Sequence, residues 1–520
     1  MCASRSTSSP ARRFAALGPT LRFAMLGLAV VLFAIASPSR AAPPTWDPAR
    51  TYAVVAGLVT WSDPELAPFS ARHRKDKELF DVLGERGVPP EQRRLLLDRQ
   101  ASAKAVVSAL MNHIVTAPPG STFIFYFAGH GVFDKDKRFV MATSDTDTKR
   151  LDESAETGLA AADLFPIFAL RGASDRVLLM GDACYSGHLA AVAAALSFAG
   201  VPAAALTSAS ELSASSENWT FTQSVIDGLR GRPLIDKDGD GAIALSEVAA
   251  EAKTAMRHRE GQTMGYWPGQ RDLEATTAKR GRTSSAFVDL TLSETAPWPR
   301  DLAALDARGN LFGRGDWVIA KRLDGERGVA RVLGAMRQGD PPESPDPTSP
   351  DPRPVRLRVE FYDYSDRSVG WAREDKVDPL LFLSYPVGTK LRVEVDEDTY
   401  AVRVLRVEDG LHLVAFERLL QSGEDLIEGA DATSDLPEDE FVTPDQILGT
   451  LDPADEAALR VLVHERGSQT EALLIGRWNG KVCVRYPGAS LTDDECVPEN
   501  RVTPDHRVPD PANPPDEEAP

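Results

Sequence analysis

The sequence predicts an α/β fold with a mainly parallel sheet and flanking helices, followed by a C-terminal all-β region of small barrels. Between residues 51 and 293, apolar strand-like runs alternate with segments of helical spacing. The runs are apolar throughout, which is typical of strands buried on both faces of a parallel sheet. Beyond Trp298 the pattern changes to short alternating strands that recur about every 60 residues, as in an array of small β units.

The elements of the α/β part, residues 51–293, can be placed in order along the chain. Predicted strands cover residues 52–58, 94–97, 121–127, 138–143, 176–180 and 201–207. Predicted helices cover residues 77–87, 102 to about 114, and 160–170, where apolar residues follow helical spacing. Ser102 is a typical N-cap residue and Gly87 a typical helix terminator, so both support these bounds.

The all-β part is predicted to hold three five-stranded barrels, over residues 308–380, 383–448 and 455–504. Residues 359–366 (Val-Glu-Phe-Tyr-Asp-Tyr-Ser-Asp) resemble a Tudor-type SH3-like barrel. The resemblance makes Trp317, Tyr362 and Tyr364 candidates for a cation cage, but ordinary barrel core is the favoured interpretation of these aromatic residues. The proline-rich run 341–354 is predicted as an extended loop, and residues 505–520 as a disordered acidic tail.

Composition and charge bound the class of protein. An apolar content of 42% and a charged content of 26% describe a soluble globular chain, and 520 residues allow two to four domains. The net charge of −19 disfavours nucleic acids and anionic membranes as partners and favours basic ligands.

The first 41 residues are predicted to be an export signal. Arg12, Arg13 and Arg22 precede an apolar run of 14 residues, from 23 to 36. Ser39 and Ala41 offer small residues for cleavage, and the run is too short for an ordinary membrane span. We therefore expect an exported protein, periplasmic or secreted, with no membrane span after cleavage. An uncleaved N-terminal membrane anchor is the alternative.

Two short motifs each place a reactive side chain just after a predicted buried strand. Residues 126–131 (Tyr-Phe-Ala-Gly-His-Gly) contain His130, and residues 181–187 (Gly-Asp-Ala-Cys-Tyr-Ser-Gly) contain Cys184, 54 positions later. The carboxyl ends of parallel strands form the ligand crevice of an open α/β sheet. A histidine base beside a cysteine is sufficient for thiolate attack on an amide. The alternative is a buried structural cysteine and an ordinary loop histidine.

The cysteine count also singles out Cys184. Cys2 would leave with the export signal. Cys483 and Cys496 lie 13 residues apart in strand-like stretches and could form a disulfide in an oxidising compartment, although a one-residue register shift would prevent it. Cys184 is then the odd thiol, and such a thiol is a candidate reactive group.

Residues 51–293 resemble the caspase-like cysteine peptidase domain, and most of all its metacaspase and orthocaspase branch. The resemblance rests on the two motifs that contain His130 and Cys184, while the Gln-Ala-Cys-Arg-Gly string of true caspases is absent. It implies that Cys184 is the nucleophile and His130 the base and later the acid. It also implies that the backbone amides of Gly131 and Cys184 bind the oxyanion.

The resemblance extends to substrate selectivity. Metacaspases cleave after Arg or Lys, and one of the acidic residues of their specificity pocket lies two positions before the nucleophile, where this chain has Asp182. Asp76 is the counterpart of a second acidic residue of that pocket, but it stands in Lys75-Asp76-Lys77 where the family has Asn-Asp-Ala. A buried carboxylate would bind a guanidinium through two hydrogen bonds. Capping of the local turn is the alternative role for Asp182.

The twelve residues from 236 to 247 match an EF-hand calcium loop. Asp236, Asp238 and Asp240 would supply carboxylates, Ala242 a backbone carbonyl, and Glu247 a bidentate carboxylate. Predicted helices on both sides support the match, and an acidic turn at the start of a helix is the alternative. No cofactor is expected for the chemistry itself, so calcium is the candidate metal for a regulatory site.

The sequence thus predicts a caspase-like cysteine endopeptidase that acts on a protein or peptide substrate, with barrels that bind an unknown protein or cell-wall ligand. The main alternative is a catalytically silent caspase-like scaffold that binds partners through its barrels. A third hypothesis is a calcium-responsive adaptor in which the loop at Asp236 sets domain orientation.

Overall fold

The computed structural model places one compact unit, Pro44–Pro520, that contains all the described residues. It describes residues 45–505 except 152–156, 212, 214, 216–217, 269–288, 304, 306–310, 323, 339–352, 364–365, 396–397, 409–410, 423–424, 427–435, 438, 443–445, 453–458, 466–467 and 488–490. The predicted export signal, Tyr364, most of the proline-rich run and the tail beyond residue 505 lie outside the described residues. Within that described part, no helix is both long and apolar enough to cross a membrane.

The first half of the described chain alternates strands and helices. In chain order the elements are β1 (Thr51–Gly57), α1 (Asp76–Glu85), β2 (Arg93–Leu97), α2 (Ala103–Thr116), β3 (Thr122–Ala128), β4 (Gly131–Phe133), β5 (Phe139–Met141), β6 (Leu159–Ala160), α3 (Leu164–Phe168), β7 (Arg176–Asp182), α4 (His188–Phe198), β8 (Ala203–Thr207), α5 (Thr220–Leu229), β9 (Ala242–Ala244), α6 (Leu245–Glu260), β10 (Gly265–Trp267), β11 (Thr291–Glu294) and α7 (Arg300–Ala303).

Six of these strands form the central sheet, in the order β10-β8-β7-β3-β1-β2. The five strands from β8 to β2 pair in parallel, and β10 is an antiparallel edge strand. The order reverses between β1 and β3, and such a reversal opens a crevice at the carboxyl ends of the strands. The mainly parallel sheet predicted from the continuous apolar runs is therefore confirmed.

Side chains alternate between the two faces of this sheet, because successive residues of a strand point in opposite directions. Phe125 and Phe127 of β3 pack against α2, α3 and α4, whereas Ile124 and Tyr126 pack against α1, α5 and α6. Both faces are covered, so the sheet is a buried layer between two layers of helices. Asp182 follows Met180 on the α1–α5–α6 side of β7 by the same alternation.

The second half of the described chain is all β, and its strands form three antiparallel sheets. The strands are β12 (Trp317–Lys321), β13 (Arg327–Arg337), β14 (Val355–Asp363), β15 (Asp366–Arg373), β16 (Asp378–Pro379), β17 (Lys390–Val395), β18 (Asp398–Glu408), β19 (Leu411–Ser422), β20 (Asp425–Leu426), β21 (Glu440–Val442), β22 (Ile447–Thr450), β23 (Arg460–Glu465), β24 (Ser468–Trp478), β25 (Lys481–Arg485), β26 (Glu495–Pro498) and β27 (Val502–Pro504).

The three sheets share one connectivity. Consecutive strands pair as hairpins, and a short closing strand returns to the first strand of each set: β16 to β12, β22 to β17 and β27 to β23. This common pattern explains the repeat seen in the sequence. In the third sheet Cys483 and Cys496 face each other in register and form a disulfide, so the register shift that would prevent it does not occur.

One predicted helix differs from the structure, and one observed helix has no counterpart among the predictions. The segment 160–170 is helical over only Leu164–Phe168, after a short strand and a 3-10 turn at Ala161–Asp163. Helix α4, His188–Phe198, was not predicted. Its sequence is alanine-rich and apolar on nearly every side, so it lacks the amphipathic period that reveals a helix.

Candidate active site

The two reactive residues follow neighbouring strands of the central sheet. β3 and β7 pair in parallel to their last residues, Ala128 and Asp182, and the Gly129 amide donates to the Asp182 carbonyl oxygen at 3.2 Å. His130 and Cys184 each come two positions after the paired residues. The sheet therefore delivers both side chains to its carboxyl edge, beside the β1–β3 crevice that the strand order predicts.

The loops that carry these residues are in direct contact. A Cβ atom added to Gly131 would lie 2.1 Å from the carbonyl oxygen of Cys184, so only glycine allows this approach. Gly131 also opens β4 and pairs with Met141 of β5, which fixes the loop from the other side. The two amides expected to bind an oxyanion, those of Gly131 and Cys184, thus belong to segments packed against each other.

Cys184 is half-buried and is not part of a disulfide. Its sulfur lies 3.3 Å from the backbone nitrogen of Ser215 and 3.8 Å from the carbonyl oxygen of the same residue. A small pocket of about 40 Å³ adjoins it, with one wall from β3 and one from the loop before α5; its lining comprises Leu58, Phe69, Ala128, Gly129, Asp182, Ala183, Cys184, Ser215, Asn218 and Trp219. The thiol therefore faces an enclosed but reachable space.

Two aromatic rings and one carbonyl oxygen hold His130. The imidazole lies between Trp61, at 4.5 Å between ring centroids, and Phe69, at 4.3 Å. Its Nε2 atom is 2.8 Å from the carbonyl oxygen of Ala67. Because a carbonyl oxygen only accepts, Nε2 carries the proton of this bond, and Nδ1 is the basic nitrogen of the neutral ring.

Asp182 is the half-buried last residue of β7 and lines the pocket beside Cys184. Its Oδ2 atom accepts from the Thr222 hydroxyl at 2.5 Å, and that hydroxyl is 2.6 Å from the Tyr126 hydroxyl. Burial raises the pKa of Asp182 from 3.8 to about 6, although the hydrogen bonds from Thr222 and Ser208 act in the opposite direction. A carboxyl with a raised pKa that lines a cleft is a frequent mark of a functional site.

Asp76 lies close to Asp182 but has a partner within the protein. It is fully buried at the start of α1, and its carboxylate pairs with Arg74 at 2.7 Å. Arg74 also pairs with Asp98 at 2.8 Å and donates to the Gly57 carbonyl oxygen at 3.2 Å. The charge of Asp76 is thus already neutralised at close range, whereas the hydrogen bonds described for Asp182 come from uncharged groups of Thr222 and Ser208.

The predicted calcium loop gathers its three aspartates. Oxygens of Asp236, Asp238 and Asp240 lie within 4.8 Å of one another, a spacing that fits one bound cation. Glu247 instead accepts from the Lys237 amide at 2.6 Å and the Ala244 amide at 2.9 Å. The three aspartates are therefore close enough to share one cation, whereas Glu247 is engaged with two backbone amides.

The predicted cage aromatics of the first β unit face the α/β part of the chain. Trp317 and Tyr362 are buried, with ring centroids 5.0 Å apart. The guanidinium of Arg331 lies 5.2 Å from the Trp317 ring, and that of Arg259, from α6, lies 4.8 Å from the Tyr362 ring. Cations of the same chain therefore already lie against these rings.

Sequence reasoning missed most of the residues that surround the reactive pair. Trp61, Ala67 and Phe69 belong to one loop after β1, and that loop leaves the same edge of the sheet as the two motifs. Two aromatic residues in a loop at a carboxyl strand end were the available signal. The Ser215 contact gave no signal, because it uses backbone atoms that any residue offers.

Two solved structures are similar to part of this chain. A structural-genomics target protein from Geobacter sulfurreducens is 16% identical, over 42% of this chain and 92% of that one, with a TM-score of 0.30. The Drosophila initiator caspase Dronc is 10% identical, over 44% of this chain and 85% of that one, with a TM-score of 0.28. Neither a protein-family model nor a curated protein matches this chain.

Proposed function

We propose that this protein is an exported cysteine endopeptidase of the caspase and metacaspase type, with Cys184 as nucleophile and His130 as base. The observation that carries the proposal is the in-register pairing of β3 and β7, which brings the His130 and Cys184 loops into contact. The thiol has a pocket beside it, and the imidazole has a fixed basic nitrogen. These are the parts that thiolate attack on an amide needs.

The chemistry would follow from these parts. Nδ1 of His130 takes the thiol proton, and the sulfur of Cys184 bonds to the carbonyl carbon of the scissile peptide. The Gly131 and Cys184 amides donate to the oxygen that becomes negative. His130 returns the proton to the leaving amine as the carbon–nitrogen bond breaks. Water then attacks the resulting thioester with His130 again as base, which releases the acid and the thiol.

Selectivity for Arg or Lys before the scissile bond would come mainly from Asp182. The residue lines the pocket beside the sulfur, and its hydrogen bonds come from uncharged groups of Thr222 and Ser208, so above its pKa of about 6 it offers a negative charge to a substrate cation. Asp76 would contribute less, because Arg74 already pairs with its carboxylate. A buried carboxylate facing a guanidinium gains more than one exposed to water.

Calcium is the proposed regulatory ligand of the loop that begins at Asp236. The proposal rests on the twelve-residue pattern together with the clustering of the Asp236, Asp238 and Asp240 carboxylates. Bound calcium would supply a fixed positive charge between α5 and α6. The Lys237 amide and Glu247 would have to separate for full coordination, so binding would change the hydrogen bonds at the start of α6.

The test is covalent labelling of the full chain with a peptidyl chloromethyl ketone that ends in arginine. We expect one equivalent on Cys184, located by mass spectrometry, as sulfur displaces chloride at the reactive carbon. Cys184→Ser should not be labelled. His130→Ala should be labelled about 100-fold more slowly, because a positioned base contributes on that order.

Equal labelling rates for the wild type and His130→Ala would contradict the dyad. Absence of label on Cys184 would favour the alternative function, a catalytically silent scaffold that binds partners through its β units. Iodoacetamide serves as the control reagent, because it reports access to the thiol without a peptide to position.

A further inference from the structure

The loop after β8 is tied to the nucleophile at two points. The Ser208 hydroxyl accepts a hydrogen bond of 3.1 Å from the amide of Ala183, the residue before Cys184. The same hydroxyl is 2.7 Å from the Ser215 hydroxyl, and the Ser215 amide is 3.3 Å from the Cys184 sulfur. Ser208 therefore links Ala183, which precedes the nucleophile, to Ser215, whose amide contacts the sulfur of the nucleophile.

We propose that the Ser215 amide stabilises the thiolate of Cys184 and that Ser208 is the positioning residue that holds this amide in place. An N–H donor to a sulfur favours the charged form of that sulfur, because the negative charge strengthens the hydrogen bond. The proposal deepens the proposed function, on which it rests for its catalytic meaning.

The same residue also serves the neutral thiol. The Ser215 carbonyl oxygen lies 3.8 Å from the sulfur, within reach of a weak S–H donor. When the thiol is deprotonated, its sulfur thus exchanges the Ser215 carbonyl oxygen for the Ser215 amide as hydrogen-bond partner, without movement of the loop. The sulfur keeps a partner in both states, so it stays oriented before and after His130 takes its proton.

Other ionisable groups surround the sulfur and remain in place in the test. His130 comes from the β3–β4 loop, and Asp182, from the end of β7, lines the same pocket as Cys184. Ser208 also donates to Asp182 and lowers its pKa, so a change at Ser208 alters two groups. A change at Ser215 is therefore the cleaner probe.

The experiment measures the pH midpoint of Cys184 alkylation by iodoacetamide in the full chain, with Cys2→Ala as the background. Ser215→Pro removes the N–H donor, and we expect the midpoint to rise by about one unit, the loss of one hydrogen bond to a charged group. Ser215→Ala keeps the donor and should shift the midpoint less. Ser208→Ala should shift it in the same direction as Ser215→Ala, and Ser208→Thr should restore the wild-type value.

A folded Ser215→Pro variant with an unchanged midpoint would overturn the proposal. If proline unfolds the chain, as circular dichroism would reveal, Ser208→Ala and Ser208→Thr decide, each measured in an Asp182→Asn background that removes the second ionisable group, and equal midpoints for both would overturn it. Because alkylation needs no peptide substrate, this readout stands apart from the proposed function. A raised midpoint in a chain that the arginine ketone does not label would support the thiolate contact and contradict the peptidase.

Discussion

At His130, the surroundings of the ring matter as much as the residue itself. Trp61 and Phe69 flank the imidazole, and Trp61 also donates through Nε1 to the Ala142 carbonyl oxygen at 2.8 Å. The Ala142 amide in turn donates to the His130 carbonyl oxygen at 2.9 Å. The ring and its own backbone are thus held by a single set of contacts, which limits the histidine to one orientation before any substrate arrives.

Asp182 gives a prediction for pH. Its pKa of about 6 means that the carboxylate is charged above pH 6 and protonated below it. We expect the preference of the enzyme for arginine over glutamine before the scissile bond to fall as pH decreases from 7 to 5. The ratio of kcat/KM values for two matched peptides measures this, because an effect of pH on the chemical steps is common to both peptides.

Asp182→Asn is the matched variant. Its preference should be lower by about 100-fold, or about 2.7 kcal/mol, and should not depend on pH. A wild-type preference that stays constant between pH 5 and 7 would argue against Asp182 as the selectivity residue. The raised pKa also means that the ionised carboxyl destabilises the fold as pH rises through about 6, a cost consistent with a functional role.

At the scale of elements, continuous apolar runs identified the strands of the central sheet because burial on both faces leaves no polar positions. Fixed spacing identified the Asp236 loop for a similar reason, since its ligand positions are local in sequence. Contacts between distant segments could not be predicted in this way. Arg74 meets Asp98 across 24 positions, and His130 meets Ala67 across 63, with no pattern in one sequence to signal either pair.

The loop that begins at Asp236 gives a prediction for calcium binding. Calcium should raise the thermal midpoint of the full chain, because an ion that binds only the folded state stabilises it. Asp240→Asn should weaken binding by at least about 10-fold in calorimetry, since ligand charge sets the affinity of such loops. Asp324→Asn, in a surface turn between β12 and β13, is the matched control and should bind as the wild type does.

Calcium that produces no heat and no thermal shift in the wild-type chain would show that the loop is an acidic turn at the start of α6. Binding that persists unchanged in Asp240→Asn would place the ion elsewhere. In either case the contacts of Glu247 with the Lys237 and Ala244 amides would be its structural role, as a cap of the helix.

In the whole molecule, α6 joins the α/β part to the first β unit. Glu251 of α6 is buried between Lys237, at 2.7 Å, and Arg331 of β13. Burial alone would raise the pKa of Glu251, but the two cations outweigh it and hold the pKa at about 2. The carboxylate is therefore charged at every physiological pH, and the ion pair across the two parts persists.

This contact also relates the calcium loop to the β units. Lys237 belongs to the loop, and its ammonium group shares Glu251 with Arg331, which lies against Trp317. The sequence indicated the aromatic residues but not their partner. Arg331 and Arg259 of this chain contact the rings of Trp317 and Tyr362, so part of the first β unit packs against the α/β part.

Peptide cleavage is the direct test of the proposed cysteine endopeptidase. The full chain is incubated with a diverse peptide pool, with and without calcium, beside Cys184→Ala, and the new termini are identified by mass spectrometry. We predict cleavage after Arg or Lys that disappears in Cys184→Ala. Cleavage after Asp would keep the enzyme and contradict the role of Asp182. Absence of any Cys184-dependent cleavage under both conditions would contradict the peptidase itself.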